Sequence, residues 1–345
     1  MNIVINRPTI TRKEIESMLD CLINEELVMG DAIKNFEKNI SNLIGLNYSL
    51  ATNSLSSAYH LSFEALDISE GDEVIMPSYF HLAPLSALSL TRGKVVLADI
   101  EKDSYSPSFN QIRERVTDKT KAIVIGHLFG ILTDVEELKA LNIPIIEDIS
   151  HAIGAEMNGM SIGKSGTISV ASFAPSMMIT TGNGGIVLTN NSKLHSKMRE
   201  KRDNTSNNSI SYDYRLTDFQ GALGITQLSM LHLFVKRRRE IAKRYYDSLR
   251  VTPHKTIFPY SDSFVYQSFP VFFDAPIEKT EKYWRKSGIE IKKPISNPLH
   301  SFLNINSMDY PNSSRLSKKI YTLPIYPTLT KKEIDKISIT ISKFI

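Results

Sequence analysis

Apolar and polar positions change rhythm along this chain. Near the N-terminus the period is helical: Ile15, Met18, Leu19, Leu22 and Ile23 fall on one face, behind Thr11 and Glu14 at the spacing of a capping box. A second helix is predicted from about Asp31 through Phe36 and Ile40 to Leu43, ending at Gly45, because a helix terminus favours a residue that tolerates the left-handed conformation. From Tyr48 onward, short apolar runs alternate with helical stretches, which is the pattern of a mostly parallel sheet with crossover helices. Strands are expected at 74–76, 95–100, 122–127, 143–147, 168–173 and 185–189, and helices near 56–66, 81–90, 108–116 and 135–141. A long helical run at 218–249 then leads into a tail punctuated by Pro294, Pro298, Pro311, Pro324 and Pro327. The expected organisation is an N-terminal arm at 1–30, a large α/β domain at 31–249 and a small α+β domain at 250–345. The polar, breaker-rich segment 204–211 is expected to be a mobile loop.

With 345 residues, 41% of them hydrophobic, the chain can bury a core of this size. No apolar run approaches the roughly 18 residues a membrane-spanning helix needs, and the N-terminus turns polar too soon for a signal peptide. Cys21 is the single cysteine; it cannot form an internal disulfide, and its helical stripe points to a buried structural thiol. A cytoplasmic protein without a membrane partner is expected. The net charge of +4 argues against a nucleic-acid partner, and the run Lys236, Arg237, Arg238, Arg239 reads as a solvated or subunit-facing helix face. No metal site is expected.

Several short motifs follow one another in order. They include Gly30 with Phe36 and Glu37, Gly71-Asp72-Glu73-Val74-Ile75 with Pro77, and His127-Leu128-Phe129-Gly130. Next come Ile146-Glu147-Asp148 with His151-Ala152-Ile153-Gly154-Ala155, Ser172-Phe173, and Thr181-Gly182-Asn183-Gly184-Gly185. Tyr214-Arg215, Gly224 with Gln227-Leu228, Pro298-Leu299-His300, and Leu323-Pro324-Ile325-Tyr326-Pro327 complete the set. Each is weak alone, but their order along nearly the whole chain resembles the DegT/DnrJ/StrS family of sugar aminotransferases, which act on nucleotide-linked keto sugars with pyridoxal phosphate. The resemblance implies an aspartate aminotransferase-like fold of PLP-transferase type I. It also implies a homodimer whose two active sites draw residues from both chains, and a role in amino-sugar or surface-polysaccharide biosynthesis.

A pyridoxal enzyme takes from its protein an amine for the aldehyde, an acid for the pyridine nitrogen, a flat group against the ring, donors for the phosphate and a proton shuttle. The resemblance puts Asp148 at the ring nitrogen, although a strand-end carboxylate also serves as a cap for backbone donors. His151 matches a ring-facing position and could equally be a satisfied core histidine. The amine is missing: Met177 stands five residues after Ser172, where the family has its lysine, and a thioether forms no imine and relays no proton. Losing a general base alone costs about a hundred to ten thousand fold in rate. Lys164, in the turn before the strand at 168–173, reads as a solvated loop lysine, and no other lysine occurs before Lys193.

Further departures accompany Met177. The phosphate-binding helix start reads Leu55-Ser56-Ser57 in place of a Gly-Thr or Gly-Ser pair, with Ser172 as a further phosphate contact. His81, next to Phe80, aligns with the aromatic that stacks on the ring. Asp213 falls where an asparagine would reach across the dimer toward the phosphate, and a carboxylate there repels a phosphate dianion.

Three readings follow. In the first, an enzyme acts on a nucleotide-linked sugar with no covalently bound cofactor, using His81, His151 and Glu147 or Asp148 as acid and base, or works with pyridoxamine phosphate as a dehydratase. The second is a pseudoenzyme that binds a sugar nucleotide or forms a heterodimer with an active homologue. The third is a conventional transaminase, which a small alignment slip cannot rescue for want of a nearby lysine. Substrate recognition is expected in the tail, near His300.

Overall fold

A computed structural model describes residues 2–24, 27–157, 159–203 and 210–344. Of the loop expected at 204–211, residues 204–209 lie outside the described residues.

The chain opens with α1 (Arg12–Ile23), α2 (Asp31–Ile44), β1 (Tyr48–Thr52), α3 (Leu55–Ala65), β2 (Glu73–Pro77) and α4 (Ala83–Thr91). It continues through β3 (Lys94–Ala98), α5 (Phe109–Arg113), β4 (Thr120–Gly126), β5 (Ile145–Asp148) and a two-rung ribbon, β6 (Glu156–Met157) and β7 (Met160–Ser161). Then come β8 (Ile168–Ser172), β9 (Gly185–Thr189), α6 (Ser192–Asp203), α7 (Asp218–Ser229) and α8 (Leu231–Leu249). The C-terminal part holds β10 (Phe269–Phe272), α9 (Ile277–Lys286), α10 (Leu299–Phe302), α11 (Pro311–Lys319), β11 (Ile320–Leu323) and α12 (Lys331–Lys343).

Among the described residues, seven strands form one sheet in the order β1-β9-β8-β5-β4-β2-β3, with β9 alone running against the others. Successive residues feed opposite faces: Leu50, Val170 and Val187 pack under α3 and α4, while Ala51, Ala171 and Ile186 pack under α2 and the start of α8. A third cluster joins Ile3 of the N-terminal arm to Tyr245, Phe269, Trp284 and Ile337 around the β10-β11 ribbon. The order of strands puts the carboxyl ends of β2, β4, β5 and β8 side by side, where open parallel sheets carry their sites.

The structure alters several expectations. The apolar face of α1 is exposed at Ile15, Leu19, Leu22 and Ile23; the helix instead buries Cys21 and Glu14, whose carboxylate accepts a bond from Gln227. The run at 218–249 breaks at Met230 into α7 and α8, because α7 packs on α1 and α2 while α8 packs on α12. The helix expected at 135–141 is only a 3₁₀ turn, Glu137–Leu141, stopped by left-handed Asn142. The basic run is a solvated face only in part, at exposed Lys236. Arg238 is buried and donates to the carbonyls of Gln267 and Ile325, while Arg239 donates to that of Phe264, so these side chains tie α8 to the C-terminal body. Strand β1 and helix α6 were not anticipated; α6 buries little besides Met198 and Arg202, so it leaves no apolar stripe in the sequence.

Candidate functional site

A cleft of about 410 Å³ opens at the carboxyl ends of the central strands. The segment after β2 brings His81, the segment after β4 brings Leu128 and Phe129, the segment after β5 brings Ser150 and His151, and the turn after β8 brings Ser176 and Met177. Ile5 and Asn6 of the arm close one side, and Lys292, Ile295 and Thr322 of the C-terminal body close the other.

Met177 is held on the cleft wall by its neighbours. Asn6 Nδ2 and Gln267 Nε2 both donate to the Ser176 carbonyl, at 2.9 and 2.7 Å, and Thr180 Oγ1 and the Thr181 N–H return to the Phe173 carbonyl. Left-handed Gly182 (φ 80°) then lets the chain enter β9. Lys164 is elsewhere, its ammonium lying over Gly45 at the end of α2.

Asp148, at the last position of β5, is buried beneath the cleft. Its Oδ2 accepts from the Tyr59 hydroxyl at 2.7 Å and from His81 Nε2 at 2.9 Å, and its Oδ1 accepts from the Ser150 N–H at 2.8 Å. Burial would raise its pKa, but the hydrogen bond and charge of His81, with Ser150 and Tyr59, bring it down to about 2. Burial first, and the adjacent carboxylate second, raise the Tyr59 phenol well above its ordinary range, so it stays a donor. The His81 ring stacks on Phe80 at 4.3 Å, and Phe80 in turn rests on Gly126, where a β-carbon would come within 2.6 Å of the ring. Since ionised Asp148 only accepts, His81 donates to it from Nε2, and its Nδ1 has no hydrogen-bond partner among the described residues.

His151 has the complementary arrangement. Its Nδ1 accepts the Phe129 N–H at 3.0 Å, which leaves the proton of the neutral ring on Nε2. Burial above all lowers its pKa to about 4, with Asp148 opposing and His81 adding to the effect. Around neutral pH it is therefore an uncharged donor.

The other predicted residues are less central. Ser172 is buried, its Oγ accepting from the Ala174 N–H. Ser57 donates to Asn53 Oδ1 at 2.6 Å, Ser56 is half-buried, and Leu55 presents the start of α3 to the cleft. Asp213 is exposed and pairs with Arg215 at 3.2 Å, outside the cleft of its own chain. Glu147 points away from Asp148, toward His127 and the N–H groups of Gly163 and Gly166. His300 is buried between Ser78 and Ser314, with Tyr310 stacked on it, and does not line the cleft. Sequence reasoning missed Tyr59, an aromatic inside a buried helix with no local mark of its role, and Lys292, the one lysine among the described residues lining the cleft.

The model of the DegT/DnrJ/EryC1/StrS aminotransferase family matches residues 8–342. GDP-perosamine synthase of Escherichia coli O157:H7 is 29% identical over 358 residues, covering 99% of this chain and 98% of that protein. An uncharacterized protein of Methanocaldococcus jannaschii, MJ1066, is 30% identical, covering 98% and 96%. Among solved structures, the aminotransferase TlmJ from Streptoalloteichus hindustanus superposes with a TM-score of 0.93 at 22% identity, over 99% of this chain and 98% of that one. Helicobacter pylori PseC, an aminotransferase involved in the biosynthesis of pseudoaminic acid, gives 0.90 at 23% identity over 100% and 99%. The fold is thus the aspartate aminotransferase-like PLP-transferase fold. No helix among the described residues is long and apolar enough to cross a membrane.

Proposed function

Because this chain belongs to the DegT/DnrJ/EryC1/StrS aminotransferase family, we propose that it takes a nucleotide-linked sugar into the cleft and acts on it without an internal aldimine. The observation that carries this reading is Met177 on the cleft wall, with Lys164 turned away over Gly45. A second observation supports it. The acceptor a pyridine nitrogen would use is already taken, since Asp148 Oδ2 holds both Tyr59 and His81. Leu55, in turn, narrows the start of α3, where a phosphate would meet backbone N–H groups. On this reading the residues present do not fit a bound B6 cofactor, and no step runs through one. The sugar-nucleotide ligand is supported by the relative named for GDP-perosamine and by Lys292, a cation at the mouth of the cleft that suits a diphosphate. The exposed apolar face of α1, continued by Leu27 and Val28, supports association with a second copy, which sedimentation would test.

Two measurements test the reading. GDP-linked and UDP-linked keto-deoxyhexoses should raise the thermal unfolding temperature, with protection growing with ligand concentration. Pyridoxal phosphate followed by borohydride reduction should leave no pyridoxyl group on any peptide from the cleft. A lysine-linked pyridoxyl peptide together with amino transfer to a keto sugar would refute the reading. Met177→Lys should not restore transamination while His81 remains.

A further inference from the structure

Resting on the reading that no aldimine forms, we propose that His81 stands in the place of the missing ring and converts the cleft into a cofactor-free proton-transfer site. His81, held by Asp148, is its base, and His151 is its neutral donor, for a nucleotide-linked sugar carrying a keto group.

The argument begins with the carboxylate. Asp148 is buried and its donors are fixed: Tyr59 from α3, the Ser150 N–H from its own strand end, and His81 from the segment after β2. The first two come from buried residues, while the third comes from His81, which lines the cleft with 28% of its side chain exposed. Phe80 stacks on the imidazole with ring centroids 4.3 Å apart, a contact that favours the orientation toward Asp148. The result is an orienting carboxylate, an imidazole that donates Nε2–H to it, and an Nδ1 lone pair that no described residue occupies, a carboxylate–imidazole pairing of the kind that activates histidine as a general base. Across the same cleft His151 has the opposite polarity, lone pair toward the backbone and N–H available. A neutral imidazole of this kind can hold the oxygen of a carbonyl as charge develops on it.

The step balances without a further reactant. His81 Nδ1 takes the proton from the carbon next to the keto group, and the C–H electron pair becomes the carbon–carbon π bond. The carbonyl π pair moves onto oxygen, where His151 Nε2–H stabilises it. Return of a proton from the imidazolium to the same face of that carbon, after the imidazolium has exchanged with solvent, completes the cycle and labels the carbon without changing its configuration. Nothing is oxidised or reduced.

The test uses the purified full-length protein in deuterated water with GDP-linked and UDP-linked keto-deoxyhexoses and no added B6. We expect one deuterium to enter at the carbon beside the carbonyl, read by NMR and mass. His81→Gln should slow this by about a hundred to ten thousand fold while the same sugar nucleotides still protect against unfolding. Added imidazole should restore part of the rate to His81→Gly, which a merely structural histidine would not allow. In Asp148→Asn the imidazole loses its anionic partner, so the exchange rate should fall and the pH–rate profile should change with it. Wild-type protein that is protected by a probe yet exchanges nothing overturns the inference, as does undiminished exchange in His81→Gln. Either result leaves the reading without an aldimine standing, which falls instead if a lysine-linked pyridoxyl peptide accompanies amino transfer to a keto sugar. Absence of protection by both probes overturns the inference together with its ligand.

Discussion

Strand β5 ends in two carboxylates, Glu147 and Asp148, and each holds a histidine. In the Glu147 pair everything is closed: His127 Nε2 donates at 2.8 Å, His127 Nδ1 accepts the Thr133 N–H, and two loop N–H groups complete the carboxylate. Neither side chain reaches solvent. In the Asp148 pair the carboxylate is equally satisfied, but the histidine lines a cleft and keeps one nitrogen without a hydrogen-bond partner among the described residues. Neighbouring positions on a strand point to opposite faces, so one pair fastens the loop at 163–166 to the sheet and the other puts its histidine on the cleft. A histidine and a carboxylate in contact do not by themselves make a reactive site; an unspent nitrogen with somewhere to act does.

The comparison can be broken in several ways. The largest effect should come from Glu147→Ala, which strands buried His127 and two loop N–H groups and should cost about 3–5 kcal/mol in urea unfolding. A loss below about 1 kcal/mol would erase the distinction between the pairs. Next is acid. The His151 pKa is lowered from 6.5 to about 4, so the unfolded chain binds that proton more readily than the folded one. The stability this contributes is present above pH 6.5 and lost as the pH falls toward 4, on the order of 3 kcal/mol. His151→Phe should flatten that slope in urea titrations at stepped pH, and an unchanged slope would show that other groups produce it. Smaller again, Gly126→Ala drives a methyl against Phe80 and should cost about 1–3 kcal/mol while disturbing the His81 ring and sparing the Glu147 pair. Ring shifts in NMR spectra would report this. Least of all, Lys292→Ala should weaken sugar-nucleotide binding about tenfold, near 1.4 kcal/mol, in calorimetry, and the difference should shrink with salt.

Much of this architecture could be read from periodicity, because burying one face of a strand or helix writes itself into alternate or every third and fourth residue. Gly45 at the end of α2 and the strand at Gly185–Thr189 are cases in point. Where burial is slight, as in α6, or where a helix simply changes partner, as at Met230, local pattern carries no signal. The site divides the same way. His81, Asp148, His151 and Met177 were legible as positions, with His81 expected at the stacking position and as an acid–base candidate, but its bond to Asp148 joins residues 67 apart and was not legible. Tyr59 sits 89 residues from the carboxylate it serves. Such pairings are set by the order of strands, which no short window of sequence contains.

The donor to His151 is a main-chain N–H, and it is presented by Phe129 in the left-handed conformation (φ 67°), which costs a residue with a side chain about 1–3 kcal/mol. Next to it, Gly130 (φ 81°) presses so closely on Tyr266 that a β-carbon would sit 2.9 Å from that backbone nitrogen, and the Val265 N–H closes onto the Gly130 carbonyl. A tautomer enforced by backbone is immune to most single codon changes at its own address. It is vulnerable at Gly130 and at the Val265–Tyr266 backbone packed against it, so the inheritance of this histidine's polarity is written at positions that do not line the cleft.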